Sequence, residues 1–123
     1  MSHHLQLFQE TRAAYLKHGW RLQRVLMRAE TLAQSQAARD NLSSSSANGA
    51  ALFEGVPVQM SEVDAIWFAR PSHAGREAWE LRLVAETPYA LFEVFEADEA
   101  EEDREDVRRE MEARLIERMK TGG

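Results

Sequence analysis

Val63-Asp-Ala-Ile-Trp-Phe-Ala-Arg70, Glu77-Ala-Trp-Glu-Leu-Arg-Leu-Val-Ala85 and Tyr89-Ala-Leu-Phe-Glu-Val-Phe-Glu96 are the three segments that decide the fold. Each is short, rich in aromatic and branched side chains, and bounded by turn-forming residues, the pattern of β-strands. Pro71-Ser-His-Ala-Gly-Arg76 joins the first to the second, and Thr87-Pro88 turns the chain into the third. In the second, Trp79, Leu81 and Leu83 alternate with Glu80 and Arg82, so one face is apolar. The third is apolar on both faces, with Tyr89, Leu91 and Phe95 on one and Phe92 and Val94 on the other. Trp67 and Phe68 are adjacent, so they point to opposite faces and one of them needs a second cover. A six-residue loop does not fix which one faces which cover.

Upstream, the spacing of Phe8, Tyr15, Leu22, Val25, Leu26, Ala29, Leu32 and Ala33 fits one arc of a helical wheel, which predicts a long amphipathic helix from Leu5 to about Ala38. Gly19, after Lys17 and His18, stands in the order expected at a helix C-terminus. Because Phe8, Tyr15, Leu22 and Ala29 stay in phase, the reading is one helix kinked at Gly19. Ser43 to Gly49 is small and polar and reads as a linker over 43–50, dividing a helical segment (1–42) from a sheet-plus-helix segment (51–123) within a single domain. Residues 51–60 suggest an interrupted strand or a hairpin, which Pro57 confines to a sheet edge. From Asp98 the chain is helical again, with Val107, Met111, Leu115 and Met119 at steps of four and acidic residues crowding the start. The expected fold class is therefore α+β: a long N-terminal helix, a three- to four-stranded antiparallel meander and a charged C-terminal helix.

The composition narrows function by exclusion. A chain of 123 residues with 44% hydrophobic content is one ordinary domain, and the absence of cysteine removes thiol nucleophiles, disulfides and zinc–thiolate sites. No apolar run approaches a membrane span and no signal-peptide pattern opens the chain, so a cytoplasmic protein is expected. Arginine outnumbers lysine 13 to 2, which suggests a GC-rich, bacterial-type genome. The net charge of −6 argues against nucleic acid, and no cofactor or metal motif is present. One basic stripe, Lys17, Arg21, Arg24 and Arg28, reads first as a solvated helix face; of its functional readings, an acidic partner such as the last helix fits better than nucleic acid or an anionic membrane surface.

Two sites follow. Arg70, Ser72, His73 and Arg76 gather two guanidiniums, a hydroxyl and an imidazole in one hairpin loop, a set able to clamp a phosphate, nucleotide or carboxylate; the plainer reading is a solvated turn. A serine-hydrolase reading with Ser72 or the run Ser43 to Ser46, His73 and Asp64 lacks a nucleophile elbow and has no support beyond the presence of those residues. Trp67, Phe68, Tyr89, Leu91 and Phe95 supply more apolar sheet surface than the narrow stripe of the last helix can cover, which favours a second subunit as the cover. The expectation is a non-enzymatic interaction module that self-associates as a homodimer or holds a protein partner, with an anion-binding domain as its rival.

Overall fold

The structure is a computed structural model that describes residues 3–41, 56–87 and 89–121; the predicted linker over 43–50 and the start of the 51–60 strand lie outside these. Among the described residues the fold is α+β, with three helices and a five-stranded mixed sheet. The elements are α1 (His3–Lys17), β1 (Arg21–Met27), α2 (Ala29–Asn41), β2 (Val58–Met60), β3 (Ala65–Pro71), β4 (Glu77–Leu83), β5 (Ala90–Phe95) and α3 (Glu101–Thr121). Strand order is β2-β1-β3-β4-β5. β3, β4 and β5 form the expected meander, whereas β1 joins it antiparallel to β3 and holds β2 parallel on its far side. The 1–42 segment is thus not a purely helical attachment, since it supplies a central strand.

The long N-terminal helix is corrected to helix, strand, helix, and two local features explain the break. At Gly19 the backbone takes φ +87°, the left-handed region where a Cβ is penalised. Gly19 N–H donates to Leu16 O at 3.2 Å and Trp20 N–H to Tyr15 O at 3.1 Å, the paired bonds of a Schellman C-cap. Trp20 then packs edge-on against Tyr15, 5.9 Å between centroids, supplying the apolar contact that accompanies such caps. The second feature is a β-bulge: Leu22 pairs with Phe68 but Arg24 pairs with Trp67, leaving Gln23 as the extra residue. The bulge puts Leu22 and Val25 on the same face although they are three apart. Their spacing imitates a helix.

The sheet is covered on both faces by the chain itself. Ala65, Trp67, Trp79, Leu81, Leu83 and Phe95 lie under α3, with Met111 and Leu115 packed against them. Ile66, Phe68, Val25 and Met27 face the other way, toward Phe8 and Tyr15 of α1 and Leu32 of α2. Pairing of Trp67 with Leu81 and of Phe68 with Glu80 fixes the register left open by the hairpin loop. Trp67 therefore points to α3 and Phe68 to α1, and both are fully buried. The cover expected from a second subunit is provided at these two positions by helices on opposite faces.

Asp64, immediately before β3, ties the layers at one end. Its carboxylate accepts from Arg28 N–H at 2.8 Å, Arg28 Nε at 3.0 Å and the Thr31 hydroxyl at 2.9 Å. It thus caps the first turn of α2 from a different segment of the chain.

Candidate interaction surface

The hairpin loop does not gather its donors. Arg70 lies on the α1 side, donating to His18 O at 3.3 Å and standing 4.9 Å from the Trp20 ring centroid. Arg76 pairs with Glu96 at 2.9 Å, beyond the end of β5. Ser72 N–H donates to Arg76 O, and Arg76 N–H to His73 O, closing a tight turn in which Ala74 (φ 58°) and Gly75 (φ 74°) are both left-handed. All four predicted residues are exposed, and the two guanidiniums are each engaged by a different neighbour. Asp64 is engaged by Arg28 and Thr31, and Ser72 and His73 stand apart from that cluster in the β3–β4 turn.

The basic stripe meets its acidic partner in one place. Arg24 reaches across to α3, contacting Glu105 at 3.3 Å and Glu112 at 3.8 Å. Trp67 Nε1 donates to the same Glu112 at 2.7 Å. Arg108, fully buried, stacks 4.4 Å from the Trp79 centroid and donates to Glu105 at 2.9 Å and to Glu101. Burial opposes ionisation of Glu105, but hydrogen bonds from Arg108 and Arg24 and their charges outweigh it, holding its carboxyl below the usual range. This network docks α3 through paired charges, so the narrow apolar stripe suffices, although the buried Nε of Arg104 has no hydrogen-bond partner among the described residues. A shallow depression of about 410 Å³ beside it is lined by Glu101, Glu102, Glu105, Asp106 and Arg109.

On the opposite face α1 covers β1 and β3, and among the described residues no element covers β4 and β5. Tyr15 marks the boundary, stacked on Phe68 at 4.1 Å with planes 8° apart, its hydroxyl donating to Glu80. Burial and the Glu80 carboxylate push that hydroxyl up to about 12, against a smaller opposing effect of Arg82. Beyond Tyr15 the surface carries Trp20 and Phe92, edge to face at 6.4 Å, with Arg70 and Arg82 alongside. Phe92 is 57% exposed, the most exposed aromatic among the described residues.

Of the five predicted interface residues, Trp67, Phe68 and Phe95 are buried, and Tyr89 and Leu91 are half-buried against α3. Phe92 was not among them. Its signal was the two-sided apolarity of β5, read from the face that turned out to be roofed.

Among the described residues β5 is also an unpaired sheet edge. Leu83 N–H donates to Tyr89 O at 2.9 Å, which makes that pair hydrogen-bonded and sets the alternation along the ladder. Leu81 with Leu91 and Trp79 with Glu93 follow as hydrogen-bonded pairs, while Ala90, Phe92 and Val94 turn their N–H and C=O groups outward. Val94 N–H accordingly reaches its neighbour Glu93 Oε2 at 3.3 Å rather than β4. The other edge, β2, has three residues and follows Pro57.

Comparison with protein-family models, with curated proteins and with solved structures finds no match for this chain. Among the described residues no cluster of His, Asp and Glu is arranged to hold a metal ion, and no helix is long and apolar enough to cross a membrane.

Proposed function

We propose that this chain is a non-enzymatic interaction module that takes up an extended segment along the edge of β5. The observation that carries this reading is the coincidence, on one strand, of three outward-facing peptide units with the most exposed aromatic side chain. Main-chain hydrogen bonds along an edge give affinity, and side-chain pockets beside it give selectivity. Here the pocket side is Phe92 with Trp20, beside the stems of Arg70 and Arg82, which suits an extended segment that turns an apolar side chain to this face. β5 also carries neither proline nor lysine, the residues that commonly blunt an edge, and its six residues exceed the three of β2.

The test is amide hydrogen exchange on the whole chain, at about 1 μM or below so that self-association by mass action is small, with the synthetic peptide Tyr-Ala-Leu-Phe-Glu-Val-Phe, which copies residues 89–95. Ala90, Phe92 and Val94 should gain protection, while Leu91 and Glu93, already bonded to β4, should not change. Protection spread evenly over the sheet, or none at these three amides at saturating peptide, refutes strand addition at β5.

A further inference from the structure

We propose that the segment taken up by β5 is the β5 of a second copy, antiparallel and centred on Phe92, giving a two-fold dimer with one continuous sheet. This rests on the strand-addition reading and adds the occupant and its register.

The outward peptide units select the register. In a two-fold pairing the outward residues must meet outward residues, which leaves three alternatives. Centring on Glu93 sets two carboxylates directly opposite one another, the destabilising arrangement for a cross-strand pair. Centring on Leu91 pairs Ala90 with Phe92 of the partner subunit and leaves Val94 with no partner inside β5. Centring on Phe92 pairs Ala90 with Val94 of the partner subunit, Phe92 with Phe92 of the partner subunit, and Val94 with Ala90 of the partner subunit. Every outward group is then satisfied.

Charge supports the same register. Arg118 of α3 sits 4.1 Å from the Tyr89 ring centroid, at one end of β5, and has no ion-pair partner among the described residues. Glu93 is exposed, and among the described residues it accepts only from the Val94 amide. Within one chain the two are out of reach, because Tyr89 and Glu93 are four residues apart on one face, roughly 13 Å along a strand. Across the two-fold axis the partner subunit's Glu93 stands opposite Leu91 and diagonal to Tyr89, about 7–8 Å away and within reach of a long side chain. Each copy therefore holds an unpaired cation at one end of β5 and an unpaired anion near the other, and antiparallel pairing brings them together twice. On the opposite face the two Phe92 rings meet across the axis, next to Trp20.

Sedimentation equilibrium from about 1 to 100 μM, the range for a specific but modest dimer, tests the proposal. Wild type should dimerise and Phe92→Lys should remain monomeric while keeping its far-UV spectrum. Glu93→Arg and Arg118→Glu, each singly, should weaken the dimer on the order of tenfold, from two reversed exposed pairs. The double variant should recover most of that loss, which no merely structural role of either residue explains. A dimer indifferent to Phe92→Lys, or singles without mutual rescue, overturns the proposal. A wild type monomeric throughout also overturns it, and the heptapeptide experiment then separates the two readings: protection at Ala90, Phe92 and Val94 keeps the edge and rejects the second copy, and no protection rejects both.

Discussion

The two faces of the sheet solve the same burial problem differently. On the α3 face, aromatic bulk is extreme, with Trp79 in edge contact with Trp67 at 5.9 Å and with Phe95 at 6.3 Å, and a 21-residue helix roofs it. That helix has few apolar residues to offer, and it docks by threading Arg108 and Arg104 between the rings and tying them to Glu77, Glu101 and Glu105. On the α1 face, a 15-residue helix buries Phe8 and Phe68, its contact with the sheet reaching Tyr15, and among the described residues no element roofs β4 and β5 there. The closed face contributes stability. The open one is where a partner can be received.

The largest test of this contrast is Trp67→Ala. Its indole is fully buried and donates to Glu112, so the substitution opens a cavity and strands an acceptor, and about 3–5 kcal/mol should be lost. A denaturation midpoint close to wild type would mean the α3 face is not the core.

Arg108→Met should come next, at about 1–2 kcal/mol. Met fills much of the volume, and the abandoned carboxylates, Glu105 (29% exposed) and Glu101 (71% exposed), can turn to water, so the cost falls below that of orphaning a fully buried ion. The pH dependence sharpens the point. Because folding lowers the Glu105 pKa, the associated stability is complete above its ordinary value of 4.5 and is lost as pH falls through the lowered folded value. The gap between wild type and Arg108→Met should therefore be widest at neutral pH and narrow in acid. An equal gap at both would show that Arg108 acts by packing alone.

How much of this was readable beforehand follows from the same contrast. The β3–β5 meander and the start of α3 were legible because their alternation and acidic helix entry are local signals. β1 was not, because the extra residue Gln23 sets Leu22 and Val25 on one face at helical spacing. Gly19 carried the correct stop signal and was outweighed by a seven-residue periodicity that a helix and a strand happened to share. The sufficiency of α3 as a roof was hidden for a different reason. Its arginines cover aromatic rings with their stems and planes, which an apolar-residue tally does not register.

At the boundary between the faces, Tyr15→Phe should cost about 1 kcal/mol, the usual worth of one hydrogen bond. The folded pKa lies above the ordinary 10.0, so the contribution is complete below pH 10 and is lost as pH rises toward about 12. In a phenolate absorbance titration, the component removed by Tyr15→Phe should lie near 12; one near 10 would show that Tyr15 is not held against Glu80.

The smallest expected effect lies on the open face. Phe92 keeps 57% of its surface in water and touches Trp20 only edge-on, so Phe92→Ala should cost about 0.5 kcal/mol or less, as a surface position does. That figure holds for the monomer at micromolar or lower concentration. If a second copy binds β5, wild-type stability should rise with concentration by mass action while that of Phe92→Ala stays flat, so the two midpoints diverge on going from about 1 to 100 μM. Parallel midpoints over that range would mean that Phe92 meets no second copy. A loss above about 2 kcal/mol in dilute solution would say something else again: that Phe92 belongs to the core, that α1 closes over β4 and β5 in solution, and that the two faces are not different after all.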